Sequence, residues 1–241
     1  MKRPKILLFK SHSIVSKVTG VTPPLGLLYI AAALRERLGA DVRVIVAMLE
    51  NDPMNVMVST LRHFRPDVVG ISALTAEAFF AHKAAAAVKA EAPSVPVIMG
   101  GPHASCDPEL VLQDSCVDAV VMGEGEDTFT ELVSVTMSEK SVWQNPDILQ
   151  KIDGLAFRVD GKMKLSKPRA PINDLDALPF PAWDLIDYKK YWTLPKMATD
   201  GVRPYLTMFT SRGCPYNCIY CHQLFGKSFR SRSPESVVEE T

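Results

Sequence analysis

The sequence predicts an α/β protein: a doubly wound, five-stranded parallel sheet, then a hairpin-bearing connector, then the first βα unit of a barrel. Three observations carry this. Residues 1–138 alternate short apolar runs with longer segments of helical spacing. Residues 139–204 break the alternation and place an Asp-Gly turn between two strand-like runs. Residues 205–241 restart it with an apolar run, a cysteine loop and a helix start.

The expected strands are Ile6–Phe9, Val42–Val46, Val68–Ser72, Val97–Met99 and Ala119–Met122. Each is short and almost wholly apolar, as strands covered on both faces should be. Between them, Leu25 to Leu38 carries Leu27, Ile30, Ala31, Leu34 and Leu38 at spacings of three and four, with Gly39 placed to end the helix. Further helices are expected over Pro53–Phe64, Ala76–Ala92, Pro108–Gln113 and Asp127–Met137. Strands joined by helices imply right-handed crossovers and a parallel sheet. The connector holds Gly154–Val159, the turn Asp160-Gly161 and Lys162–Leu165, then a proline-stiffened run from Leu175 to Asp184. The aromatics Trp183, Tyr188, Tyr191 and Trp192 supply packing area there. The last unit is a strand over Tyr205–Thr210, the cysteine loop, and a helix begun by Ser233-Pro234-Glu235.

Parallel sheets of this kind bind ligands at the C-terminal ends of their strands, and the unusual residues collect there. They are Ser11 and His12, then Ser72-Ala73-Leu74-Thr75, then Gly100-Gly101-Pro102-His103, then Gly123-Glu124-Gly125-Glu126. Paired glycines admit a ligand close to the backbone. Glu124 and Glu126 are expected to offset the positive end of the following helix. The run from Gly123 to Thr128 lacks a third glycine and follows the fifth strand, so a dinucleotide loop is rejected. His63 and His82 are expected on helix surfaces, Cys106 and Cys116 as ordinary thiols, and Lys227, Arg230 and Arg232 as a solvated basic cluster or as support beside an anionic group.

Cys214, Cys218 and Cys221 carry the strongest chemical signal. Three thiolates at C-x3-C-x2-C suit a four-iron cluster with one iron left open, because a structural site closes its fourth position with a protein ligand. Zinc with His222 is the rival, but His222 adjoins Cys221 and neighbouring residues rarely reach one small ion. Five cysteines and no signal h-region argue against disulfides. Lys+Arg and Asp+Glu are both 27, which argues against a general nucleic-acid or acidic-membrane binder. No apolar run reaches membrane-spanning length, and a reducing cytoplasm is the expected compartment.

The segment around Ser-Arg-Gly-Cys-Pro-Tyr-Asn-Cys-Ile-Tyr-Cys closely resembles the opening of the radical S-adenosylmethionine (SAM) superfamily. That resemblance implies a [4Fe-4S] cluster on Cys214, Cys218 and Cys221, with Tyr220 against the adenine of SAM. It also implies reductive cleavage of SAM to a 5′-deoxyadenosyl radical, using an external one-electron reductant and a small-molecule substrate. The N-terminal region resembles the flavodoxin-like cobalamin-binding domain of one branch of that superfamily. The matching runs are Pro23–Ala31, Val69–Ser72, Gly100–His103 and Gly123–Glu126. The resemblance implies cobalamin contacts from Ser72, Leu74, Thr75, Gly100, Gly101, His103, Gly123 and Glu124. Many such domains ligate cobalt through Asp-x-His-x-x-Gly. Here the aligned run is Lys10-Ser11-His12-Ser13-Ile14-Val15, without the orienting Asp, which argues against His12 as a cobalt ligand.

These readings divide the chain into a cobalamin-binding domain (1–138), a connector (139–204) and the start of a radical SAM domain (205–241). A partial barrel of the resembled family would need roughly 150 to 200 further residues, so the chain is expected to be a fragment that is itself inactive. The expected function of the whole protein is methylation of an unactivated carbon or a related cyclisation. The alternatives are a corrinoid- or tetrapyrrole-binding module without catalysis, and an electron-transfer protein.

Overall fold

The structure, a computed structural model, describes residues 2–12, 22–139, 141–194, 204–221 and 224–241. Five parallel strands form where apolar runs were read: β1 (Lys5–Lys10), β2 (Asp41–Val46), β3 (Val68–Ser72), β4 (Val97–Gly100) and β5 (Ala119–Val121). They lie in the order β2-β1-β3-β4-β5. The chain winds one way from β1 to β2 and the other way from β3 onward, so the strand order switches at β1 and β3. Along β1 the side chains alternate. Ile6 and Leu8 enter the core on one face, Leu7 and Phe9 the core on the other.

Helix α1 (Leu25–Leu38) packs with α6 (Gly125–Ser138) over the Ile6 and Leu8 face, where Leu34, Phe129, Leu132 and Val133 are buried. Helices α2 (Pro53–Phe64) and α3 (Ala78–Glu91) cover the opposite face with Met57, Leu61, Ala84 and Ala85. Alanines there bring α3 close to the sheet. Helix α1 ends at Gly39, which takes φ +59° and donates to Arg35 O at 3.0 Å. Helix α2 begins where the Asp52 carboxylate accepts from Asn55 N at 3.1 Å, with Pro53 in the first turn. The expected start of α3 at Ala76 is instead a 3-10 turn over Thr75–Glu77. Two short helices follow β4: α4 (Gly101–Cys106), which the glycines had disguised as loop, and α5 (Pro108–Leu112).

After α7 (Pro146–Leu149) comes the expected hairpin, β6 (Leu155–Val159) and β7 (Lys162–Leu165). Its turn residues Asp160 and Gly161 take φ +51° and +75°, the primed geometry that matches strand twist. The hairpin does not stand apart from the sheet. Strand β6 pairs antiparallel with β5, Val120 opposite Ala156, and makes the sheet seven-stranded. The proline-rich run wraps α1: Leu175 and Leu178 pack with Leu25 and Tyr29, and Ala182 N donates to Leu28 O at 3.2 Å.

The strand expected over Tyr205–Thr210 is not formed. A strand needs a ladder of hydrogen bonds to a neighbouring strand; Arg232 N donates to Thr210 O at 2.9 Å, but among the described residues no strand pairs along this run. Only β8 (Ser211–Arg212) pairs there, antiparallel with β9 (Arg230–Ser231), before α8 (Pro234–Glu240). Among the described residues no helix is long and apolar enough to cross a membrane.

Candidate functional site

A cavity of about 400 Å³ opens at the C-terminal ends of β1, β3, β4 and β5, beside the switch in strand order. Leu8, Gly70, Ser72 and Gly100 contribute from the strands, Leu25 and Ile30 from α1, and Gly123 and Glu124 from the loop after β5. Phe209, Arg212, Leu224 and Phe225 reach it from the C-terminal segment. At Gly70 a Cβ would meet Leu8 Cδ2 at 2.9 Å and the Phe129 ring at 3.0 Å, so glycine lets those two close on the strand. Gly101 takes φ +86°, and a Cβ there would lie 2.9 Å from Ser72 Oγ. The neighbouring Gly100 has an extended backbone, and a Cβ there would make ordinary van der Waals contact, nearest Val121 O at 3.5 Å.

Of the candidate residues read from the strand ends, Ser72, Leu74, Gly100, Gly101, Gly123 and Glu124 meet in the lining. Thr75 and His103 do not. Thr75 opens the 3-10 turn, and His103 is buried beneath the rim, its N–H donating to Ala73 O at 3.2 Å. Its Nε2 has no hydrogen-bond partner. Burial, and then the nearby His82, push the His103 pKa down against the pull of Asp107. His82 is part-exposed on helix α3, as expected, and its Nδ1 lies 2.6 Å from Asp114 Oδ2. Helix α5 and the turn after it bring Asp114 over α3, a juxtaposition no local pattern announces.

Lys10 lines the cavity, its pKa lowered by burial against the pull of the Glu77 carboxylate it pairs with. Glu77 also accepts from Leu74 N at 2.8 Å, tying the loop after β3 to the end of β1. The His12 ring sits 4.7 Å from that of Phe80; Ser13, Ile14 and Val15 lie outside the described residues.

Glu124, before α6, and Glu126, in its first turn, do more than face a helix end, as the sequence had suggested. Glu124 takes Arg230 in a two-pronged pair, Nη2 to Oε1 at 2.7 Å and Nη1 to Oε2 at 3.1 Å. Its Oε2 also accepts from Ile172 N at 2.7 Å. Glu126 Oε1 accepts from Arg212 Nη2 at 2.6 Å. All four side chains are at most 6% exposed. Burial works against the charge on Arg212, but Glu126 and Glu124 outweigh it and hold its pKa above the usual value. Of the two expectations for Arg230 and Arg232, the solvated cluster is corrected: both are buried, and Arg232 pairs with Glu240. Arg212 was not singled out at all. Partners 86 and 106 residues away leave no mark on local periodicity.

The cysteine loop is exposed, including Cys214, Cys218, Cys221 and Tyr220. Its base is fixed: Cys214 N donates to Gly226 O at 3.2 Å, and Gly213 (φ +86°) passes so close to Ser228 that a Cβ would fall 2.0 Å from its carbonyl oxygen. Among the described residues, no three Cys, His, Asp or Glu side chains stand where they could hold one metal ion. His222, the possible fourth zinc ligand, lies outside the described residues.

Residues 11–133 match the family described as the B12 binding domain. Over its whole length the chain is 39% identical to an uncharacterised methyltransferase of Pyrococcus horikoshii, covering 50% of that protein. It is 28% identical, over 95% of its length, to an anaerobic magnesium-protoporphyrin IX monomethyl ester cyclase of Rubrivivax gelatinosus, covering 40% of it. The structure of a cobalamin-dependent S-adenosylmethionine radical enzyme, OxsB, solved with aqua-cobalamin and S-adenosylmethionine, superposes with a TM-score of 0.80. That match has 20% identity and covers 99% of this chain and 31% of OxsB. The chain thus spans half the length, or less, of these relatives.

Proposed function

This chain belongs to the B12-binding domain family and is related to cobalamin-dependent radical SAM enzymes, and from that premise we propose that its strand-end cavity seats the nucleotide tail of a cobalamin. The carrying observation is the cavity itself, bounded by Ser72, Gly100, Gly101 and Gly123 within the family-matched residues. Its size suits a tail rather than a whole macrocycle, so the corrin ring would lie against the rim. Mostly apolar walls would take the flat base of the tail, and the glycine edge at Gly100 and Gly101 would admit it against the backbone.

In a protein of the full length of these relatives, the thiols of Cys214, Cys218 and Cys221 would hold a [4Fe-4S] cluster, and Tyr220 would face SAM. Three thiols within eight residues are the right donor chemistry. A cobalamin beside such a cluster supplies methyl-group chemistry to carbon centres that lack acidic protons. The proposed activity is methyl transfer of this kind, on a small molecule whose contacts this chain does not define. The residues of this chain would bind and orient: the mostly apolar walls would shield a bound ligand from water, and the buried pairs of Glu124, Glu126, Arg212 and Arg230 hold the cysteine segment beside the cavity. A cobalamin-carrying module without catalysis is the second reading, favoured for the isolated chain by a cavity complete beside exposed thiols.

The test is retention of hydroxocobalamin by the purified chain through gel filtration, read by corrin absorbance. Gly100→Val should stay folded, since a Cβ there makes only ordinary contact with Val121 and the backbone is extended, yet narrow the cavity that Gly100 lines and abolish retention. No corrin in the wild-type chain would sink the reading. Anaerobic reconstitution with iron and sulfide tests the cluster: its absorbance should form in the wild type and be lost in Cys218→Ala.

A further inference from the structure

We infer that the strand-end cavity chooses its corrinoid by the base of the nucleotide tail, taking a benzimidazole and discriminating against a purine such as adenine. This rests on the reading that the cavity seats that tail. Two rows of residues on one face of the sheet form the cavity floor. The outer row, at the strand ends, is Lys10, Ser72 and Gly100, paired in register across β1, β3 and β4. The inner row, two residues deeper on the same face, is Leu8, Gly70 and Ile98, also in register. Leu8 and Ile98 belong to the core on that face, and a Cβ on Gly70 would meet Leu8 and Phe129 of the same core. The helices facing this floor add Leu27 and Ile30 from α1 and Phe129 from α6 to the lining.

The charged residues that border the cavity are engaged elsewhere: Lys10 with Glu77, Glu124 with Arg230, and Glu126 with Arg212. Lys10 and Ser72 stand in the outer row, where the ribose and phosphate of a tail would lie level with the glycine edge. Among the described residues, the inner row offers no hydrogen-bonding group. Its side chains are hydrocarbon or absent, and its backbone groups are engaged in the ladders joining β1, β3 and β4. A benzimidazole turns a hydrocarbon edge toward such walls. Adenine turns an exocyclic amine and ring nitrogens toward them. Those groups give up hydrogen bonds to water on entry and find no replacement.

The experiment measures the affinity of the full chain for two cobamides that share one corrin ring, one with a benzimidazole tail and one with an adenine tail. The adenine form should bind about ten- to a hundredfold more weakly. Adenine holds cobalt less firmly than benzimidazole, which by itself would ease entry of the purine tail, so the preference is read against that bias. Equal or reversed affinities would overturn the inference. Ile30→Gln then ties the preference to the wall. Ile30 is only partly buried and lies on a helix, where glutamine is well tolerated, and the change gives the wall a donor and an acceptor. The ratio of the two affinities should move toward one, and the cobalt–base bond cancels because the free ligands are the same. A ratio unchanged in Ile30→Gln would overturn the assignment of the preference to these walls. Cobinamide, which lacks the nucleotide, is the control for the underlying reading. Cobinamide bound as tightly as the benzimidazole form, or no corrinoid bound at all, condemns the tail-seating reading instead, so the two failures are told apart.

Discussion

Replacing Arg230 with Met should loosen the C-terminal segment while leaving the sheet untouched. Arg230 and Glu124 are each 6% exposed and joined by two hydrogen bonds. Arg230 also donates to Phe225 O at 2.7 Å and to Ile172 O. Removing one partner of a buried pair costs about 3–5 kcal/mol, because the other charge stays buried. Two features place this case at the lower end. Ile172 N still donates to Glu124 at 2.7 Å, and Arg212 Nη1, 3.7 Å away, can close on the vacated carboxylate. About 3 kcal/mol corresponds to roughly a hundredfold change in a local opening equilibrium. Native-state hydrogen exchange reads it directly. The amides of Arg232, bonded to Thr210 O, and Cys214, bonded to Gly226 O, should exchange about a hundred times faster. Amides within β3 and β4 should be unchanged. The variant Arg230→Met/Glu124→Gln, which leaves no orphaned charge and keeps an acceptor for Ile172 N, should recover most of the protection. Protection unchanged at Arg232 and Cys214, or an equal loss across the sheet, would refute the assignment of the pair as the fastening of this segment.

Gly101→Ala should lower the melting temperature, since φ +86° costs an alanine about 1–2 kcal/mol before the 2.9 Å approach to Ser72 Oγ is added, whereas Gly100→Ala should be nearly neutral. His103, its pKa depressed by burial, gains no proton in the folded chain at a pH where the unfolded chain does. Its contribution to stability is therefore intact above pH 6.5, the unfolded value, and is lost as the pH falls below it. A nuclear magnetic resonance titration should place its midpoint below 6.5, and His103→Gln should flatten that limb of the stability profile. Asp114 is opposed by burial, but its bonds from Cys116 N and His82 prevail and hold its pKa below 3.8, so its support is present above that value and lost as acid titrates the folded carboxyl. Asp114→Asn should accordingly show less loss of stability on acidification below about pH 4, measured by urea midpoints.

The parallel core was legible because its cause is local. Strands buried on both faces must be apolar throughout, and Val68–Ser72 could be read to the residue. Helix α1 was equally plain from Leu27, Leu34 and the stop at Gly39. Helix α4 was missed because Gly100-Gly101-Pro102 signals a loop, although Pro in a first turn also permits a helix. The docking of β6 on β5 was not legible, because an Asp-Gly turn specifies a hairpin but not the edge it joins. Tyr205–Thr210 had strand composition without a strand partner. At the site, the glycine and serine rim followed from the strand ends, while the contribution of Arg212, Phe209 and Phe225 did not, since long-range pairing leaves no periodic trace.

The cavity and its fastening share residues, and this couples them physically. Glu124, Glu126 and Arg212 border the cavity on one side and make the buried pairs on the other. With the cavity wet, water beside these charges screens their attraction. A largely apolar ligand expels that water, and the same pairs then act across a medium of lower dielectric constant. The segment bearing Cys214 should therefore be held more firmly when the cavity is filled, without any change in its contacts. Hydrogen exchange at Cys214 and Arg232, measured with and without hydroxocobalamin, reads this coupling. Slower exchange in the loaded wild type, reduced in Arg230→Met, is the expected pattern. Equal exchange in loaded and empty chain would show that the ion pairs fasten the segment without sensing what lies beneath it.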